Sequence, residues 1–216
     1  MTTKLFYFHD PMCSWCWGFT PTWSQLQQQL KLEFGTKLET QYVLGGLAPD
    51  SDVPMPQELQ DTLQQYWKRI HNLLGTTFNF DFWQQCTPRR STYPACRAVI
   101  AASNQGKEIA MIDGLQRAYY LRALNPSDTS THIQLAEELG LDLDAFHDDI
   151  ISSETEQELQ NQIQLYKELS ANGFPSLTLQ NNNTLTQIPV DYKNASAMLD
   201  LIKQALSPSS QGQNYG

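Results

Sequence analysis

Cys13 and Cys16, separated by Ser14 and Trp15, are the residues best placed for chemistry in this chain. Two cysteines at that spacing can close a small disulfide ring, or they can supply half of a zinc site. Their surroundings separate the two readings. An apolar, strand-like run at residues 5–8 leads into the pair, and a helix-length amphipathic segment follows it. Strand, Cys-x-x-Cys and helix in that order is the context of thiol–disulfide exchange. Zinc would need a second ligand pair, but Cys86 and Cys96 are ten apart with no histidine near them. At a helix start the first thiol meets unpaired amides and the positive end of the helix dipole, which favour a thiolate. Cys13 then attacks a disulfide, and Cys16, one turn on, resolves the mixed disulfide.

The elements that must hold this pair can be read from periodicity. Phe19, Trp23, Leu26 and Leu30 share one helical face. Pro21 lies inside that helix and should remove one backbone bond and kink the axis. Residues 38–44 alternate apolar and polar, which predicts a second strand, parallel to the first because a helix crosses between them. Gly45-Gly46 after it is either a free turn or a loop edge beside the active site. Residues 48–55 read as a linker, and Pro56 as the first residue of a helix carrying Leu59, Leu63, Trp67, Ile70 and Leu74. Residues 75–90 show no clear period. Further helices are expected near 95–102, 112–122, 130–139 and 142–151. Thr155-x-x-Glu158 predicts a capping box opening a helix through 171, stopped by Asn172-Gly173. Strands at 176–180 and 185–188 flank an Asn181-Asn182-Asn183 turn, a helix covers 191–206, and 207–216 is polar and expected to be disordered. The order βαβ, helices, αββα is an α/β thioredoxin fold with an all-helical insertion. No internal repeat is evident.

Two motifs carry a family resemblance. They are Asp10-Pro11-Met12-Cys13-Ser14-Trp15-Cys16-Trp17-Gly18-Phe19 and Gly173-Phe174-Pro175-Ser176. With them the chain resembles the DsbA-like branch of the thioredoxin superfamily over about residues 4–206, most of all its cytosolic FrnE-like, protein-disulfide isomerase members. Relatives in that superfamily include 2-hydroxychromene-2-carboxylate isomerase and kappa-class glutathione transferases, which usually carry serine at the position of Cys13. The resemblance implies a thioredoxin-fold domain from 1–48 and 154–206 and a helical insertion domain at 49–153. It also implies a cis Phe174–Pro175 bond facing the cysteines, with the Phe174 backbone pairing with bound polypeptide. Proline at a strand start loses no ladder bond, and X-Pro bonds adopt cis at modest energy. In the stretch 89–97 the resemblance makes Arg97 either a holder of an anionic group, such as a glutathione carboxylate, or an ordinary surface arginine. Trp15 offers a flat apolar contact to a substrate, and Trp17 is expected to pack as core. His9 is either a proton shuttle or a structural histidine. Asp10 either caps the loop or takes the proton of Cys16. Cys86 and Cys96 read as small hydrophobes. The Ser14-Trp15 spacer does not set the redox poise.

Bulk properties bound the partners. At 216 residues one domain, or one with an insertion, is expected. A net charge of −9 with a pI near 4.8 argues against nucleic acid and anionic membrane partners. Nine acidic residues at 137–158, without Lys or Arg, read as a solvated face. The start Met1-Thr2-Thr3-Lys4 enters strand pattern without a signal-like run, so a cytoplasmic location is expected. The leading expectation is an enzyme, a thiol–disulfide oxidoreductase or isomerase acting on polypeptide thiols and disulfides. No metal or bound cofactor is expected, and glutathione is the candidate co-substrate. The alternatives are a glutathione-dependent isomerase or transferase, for which Cys16 is not needed, and a chaperone-like binding module.

Overall fold

The run Leu5-Phe6-Tyr7-Phe8-His9 is buried throughout, so the strand that contains it is covered on both faces. The computed structural model describes residues 3–169 and 173–207. Strand β1 (Thr3–His9) pairs in parallel with β2 (Leu38–Leu44). On its other edge it pairs antiparallel with β3 (Ser176–Asn181), which pairs antiparallel with β4 (Thr184–Ile188). The sheet order is β2-β1-β3-β4. Helix α1 (Ser14–Phe34) makes the crossover that parallel pairing of β1 and β2 demands. It runs on through Pro21, so the proline removes a backbone donor without ending the helix.

Alternation along β1 divides two cores. Tyr7 faces α1, with ring centroids 4.3 Å from Trp23 and 6.1 Å from Phe19. Phe19, Trp23, Leu26 and Leu30 all pack there, joined by Met198 and Ile202 of the last helix, α9 (Ala195–Leu206). Phe6 and Phe8 face the opposite side, where Leu165 and Tyr166 of α8 (Ser153–Leu169) and Phe174 cover them. In the chain α9 follows β4 and α8 precedes β3, so each side of the sheet is closed by a helix from the C-terminal part.

Between β2 and α8 run α2 (Gln57–Leu74), α3 (Phe82–Gln85), α4 (Tyr93–Ser103), α5 (Glu108–Leu121), α6 (Thr129–Glu138) and α7 (Leu143–Ile150). Helix α4 is buried on almost every side because Ala95, Ala98, Ala101 and Ala102 let its neighbours approach closely. The stretch at 75–90 lacks a period because it is organised by one distant ring. Phe78, Phe80 and Trp83 lie 5.0, 5.6 and 4.9 Å from Trp67 of α2, and Tyr119 and Tyr120 of α5 close the cluster.

Several expected boundaries move, each for a local reason. The Thr155–Glu158 capping box does not form. The hydroxyl of Ser152 accepts the Thr155 N–H at 3.1 Å, so α8 opens at Ser153, and Glu158 instead accepts from Gln162. Pro56 precedes the first helical residue of α2 rather than occupying it. Helix α9 begins at Ala195, not 191, because the Asp191 carboxylate accepts the N–H groups of Lys193 and Asn194, and Asn194 caps Ala197. The expected end of α8 at 171, the Asn172 stop and residues 208–216 of the expected disordered tail lie outside the described residues.

Candidate active site

β1 ends at His9, and Asp10 begins the turn that delivers the cysteines. The Asp10 side chain is fully buried. One carboxylate oxygen accepts the Met12 N–H at 2.8 Å. The other accepts the Leu47 N–H at 2.8 Å and the Thr92 hydroxyl at 2.7 Å. Thr92 in turn accepts the Ala48 N–H at 3.1 Å. One carboxylate therefore ties three segments: the cysteine turn, the loop after β2 and the start of α4. Burial pushes the Asp10 carboxyl upward, and these hydrogen bonds pull it back. With its oxygens already committed, Asp10 fits the capping role expected of it better than that of a free base. The hydroxyl of Tyr120 holds the other side of the turn, donating to the Met12 carbonyl at 2.7 Å.

Cys13 is the N-cap of α1. Its sulfur accepts the Cys16 N–H at 3.4 Å, and its thiol donates to the Phe174 carbonyl at 3.7 Å. Cys13 is 7% exposed and Cys16 is 0% exposed, and both are free thiols. Burial pushes the Cys16 thiol well up, and the neighbouring Cys13 sulfur pushes it further, while a backbone hydrogen bond from Asp10 acts the other way. The two sulfurs thus differ in kind. One caps a helix and keeps slight exposure, and the other is sealed beneath it as a protonated thiol.

The Phe174–Pro175 bond is cis, and Pro175 is buried while Phe174 is half-buried. The Phe174 ring lies on Gly45 and on Tyr166, at 4.4 Å between ring centroids for the latter. A Cβ at position 45 would fall 1.9 Å from that ring, so only glycine permits the ring to rest there. Gly46 has φ +59°, and a Cβ there would press on Ile163 and Tyr93. Of the two readings of Gly45-Gly46, the structure thus has the loop edge that seats Phe174 beside Cys13.

Comparison with known proteins agrees with this fold. The family described as Thioredoxin matches residues 6–197. The chain belongs to the thioredoxin family. A candidate protein disulfide isomerase of solved structure from Nitrosomonas europaea is 26% identical, with a TM-score of 0.80 over 96% of this chain and 100% of that one. The cytosolic disulfide reductase DsbM from Pseudomonas aeruginosa is 25% identical, with a TM-score of 0.73 over 94% of this chain and 98% of its own, and has also been solved with GSH. The ClpXP adapter protein SpxH of Bacillus subtilis (strain 168) is 25% identical over 181 residues, 82% of this chain and 58% of SpxH. The chain thus spans less than two thirds of the length of that curated relative.

Around the thioredoxin-family dithiol, the remaining expected residues divide. Trp15 is half-buried, edge-on to Tyr192 at 5.4 Å, with the Arg69 guanidinium 5.8 Å from its ring centroid. Trp17 is half-buried too, stacked on Tyr120 at 5.6 Å with its indole N–H donating to the Thr77 carbonyl at 3.1 Å. Arg97 does not stand free for a substrate anion. Asp50 holds it bidentately and Glu156 takes a further N–H at 3.0 Å, so it clasps the 48–55 segment and α8 to α4. Its own carboxylates meet it first because they are covalently part of the same fold. His9 is fully buried between Tyr7 (5.2 Å) and Tyr42 (5.6 Å), and its ring nitrogens have no partner among the described residues. Burial lowers it to about 3, so it stays neutral at neutral pH and reads as structural. Cys96 is fully buried in α4 with its thiol 3.7 Å from Asp10, and Cys86 donates to the Ala123 carbonyl at 3.1 Å. Tyr192, Tyr120, Thr92 and Arg69 were not visible in the sequence as site residues, since each reaches the residues that flank the cysteines from a distant element.

Among the described residues, no helix is long and apolar enough to cross a membrane.

Proposed function

We propose that this protein is a thiol–disulfide oxidoreductase that acts through Cys13 and Cys16 on polypeptide disulfides or on glutathione, in the cytoplasm. The observation that carries the reading is the asymmetry of the pair. Cys13 caps α1 at the cleft beside Phe174, and Cys16 is buried with its thiol raised. In the reductive direction the Cys13 thiolate attacks one sulfur of the substrate disulfide. The other substrate sulfur leaves as a thiolate and takes up a proton. Cys16 then gives up its proton and attacks the Cys13 sulfur, which expels the second substrate thiolate. Two electrons pass from the dithiol to the substrate and leave a Cys13–Cys16 disulfide. The Phe174 backbone beside Cys13 is the expected pairing edge for a substrate chain, and Pro175 has no N–H to compete for the thiolate. Trp15 supplies apolar contact. The cytoplasmic placement draws support from the cytosolic reductase among the similar structures.

The test is reduction of insulin by the wild type, Cys13→Ser and Cys16→Ser, with trapping of mixed disulfides. Turnover by the wild type, none by Cys13→Ser, and captured partners on Cys16→Ser are expected. Better trapping by Cys13→Ser would reverse the roles. The likeness to SpxH favours one second reading, an adapter that captures a protein without turnover. Partner capture that persists unchanged in a Cys13→Ser, Cys16→Ser double variant, with no insulin reduction by the wild type, would select it.

A further inference from the structure

The chain has six arginines, and ion pairing sorts them. Arg89, Arg97, Arg117 and Arg122 are each held by a carboxylate. Arg69 and Arg90 are exposed and make no ion pair among the described residues. In a chain with 23 acidic and 14 basic residues, a free arginine is the exception, since carboxylates are in excess. Both exceptions face residues that flank the cysteines in the chain. The Arg69 guanidinium, from α2, sits over Trp15, the residue between the cysteines. Arg90, just before α4, lines a small cavity of about 40 Å³ with Met12 and Ser14, the two neighbours of Cys13. Its sequence neighbour Arg89 lines the same cavity, but its guanidinium is taken by Asp128 and the Ser127 carbonyl.

We infer that Arg69 and Arg90 form a two-sided carboxylate clamp, which selects substrates carrying a carboxylate on each side of the reacting sulfur. This rests on the thiol–disulfide reading above and takes the anion-holding role away from Arg97. The chemistry required is a central disulfide with flanking carboxylates. Glutathione disulfide is the small-molecule form, and a cysteine between two acidic residues is the polypeptide form. Guanidinium suits the task because it offers paired N–H donors to a carboxylate and stays charged at any working pH. Trp15 holds Arg69 in place through its ring face, so part of the ordering of that side chain precedes binding. The reaction itself is unchanged. Cys13 attacks one sulfur of glutathione disulfide, and glutathione thiolate leaves and is protonated. Cys16 then releases the second glutathione, so two thiols appear for one protein disulfide formed.

The experiment mixes the reduced full chain with glutathione disulfide and, separately, with the neutral bis(2-hydroxyethyl) disulfide, and follows tryptophan fluorescence at subsaturating substrate. The ratio of the two rate constants is the readout. Arg69→Gln and Arg90→Gln should each lower that ratio about three- to tenfold, and together by more, as loss of a partly exposed charge-assisted contact would. Rising salt should lower the wild-type ratio toward that of the double variant. Arg122→Gln, which breaks a remote ion pair, controls for the change in net charge and should leave the ratio in place. A mixed-disulfide peptide with Glu on both sides of its cysteine, compared with its Gln analogue, separates the two sources. Charge dependence confined to the peptide assigns the clamp to polypeptide, and charge dependence with glutathione assigns it to the small molecule. An unchanged ratio in the double variant, with no Glu-over-Gln preference, overturns the clamp while leaving exchange chemistry intact. A wild type that reacts with none of these disulfides overturns the exchange reading and the clamp with it.

Discussion

Two regions of this molecule hold a cysteine close to the same carboxylate, and they differ in what the cysteine can do. Cys16 and Cys96 both lie near Asp10, and burial pushes both thiols well up. Cys96 lies at the end of the first turn of α4, its N–H bonded to the carbonyl of the capping Thr92, and is enclosed by an Ala-rich core. Cys16 sits in the first turn of α1, with Cys13 as the cap before it. The difference teaches that reactivity here comes from what caps the helix before the thiol, a cysteine for Cys16 and a threonine for Cys96. Cys16 is as buried as Cys96, but it has the Cys13 sulfur one turn before it to attack, whereas the threonine that caps α4 offers Cys96 no such partner.

The sharpest way to break this comparison is to exchange the roles by mutation. Cys13→Ser should lower disulfide reduction by at least about 100-fold, because no other thiol is placed to form the first mixed disulfide. Cys96→Ala should leave the rate within about twofold and instead remove buried volume, for roughly 1 kcal/mol of stability. A rate loss in Cys96→Ala comparable to that in Cys13→Ser, read by insulin reduction, would erase the distinction.

Next in size is accessibility. In reduced protein at neutral pH, iodoacetamide should modify Cys13 at least about tenfold faster than Cys16 or Cys96, since alkylation needs access to the sulfur and of the three only Cys13 retains any exposure. Peptide mass mapping over a time course gives the order, and simultaneous labelling of all three would contradict it.

Asp10→Asn tests what the shared carboxylate does. An amide cannot accept from Leu47, Met12 and Thr92 as two carboxylate oxygens do, so at least one buried donor loses its partner. A stability loss of about 2–3 kcal/mol in urea unfolding is expected. A variant as stable as the wild type would show that the three-segment tie is dispensable.

The effect of His9 is negligible at neutral pH and appears only on acidification. Its folded value lies near 3 against an ordinary 6.5. Between those values the unfolded chain binds a proton that the native state does not, so His9 lowers stability progressively as pH falls from about 6.5 toward 3. The slope from this one group is at most about 1.4 kcal/mol per pH unit. His9→Phe should flatten the acid side of the stability profile relative to wild type. Parallel profiles would place a proton or a partner on the imidazole in the native state.

What could be read along the chain was whatever short-range spacing encodes. The Cys-x-x-Cys turn, the Phe19–Trp23–Leu26–Leu30 face and the buried run of β1 each occupy a few consecutive turns or residues, where backbone period alone decides which side chains share a face. The element order, and with it the thioredoxin fold with its helical insertion, followed from those periods. Where two local signals competed, the nearer acceptor prevailed, as Ser152 did over Thr155 at the start of α8. The aromatic residues at 75–90 gave no period because they pack about Trp67 and the tyrosines of α5 rather than along a helix of their own. The arginines show the limit most plainly. Arg89, Arg90 and Arg97 are alike as sequence, yet Asp128 takes the first, and Asp50 and Glu156 take the third. Arg90 is left without a carboxylate, on a small cavity it shares with Met12 and Ser14. Residue type and spacing determined that this chain carries a dithiol at a helix start. Tertiary packing decided which carboxylate meets which cation and which thiol keeps a trace of exposure, because both depend on contacts between segments tens of residues apart.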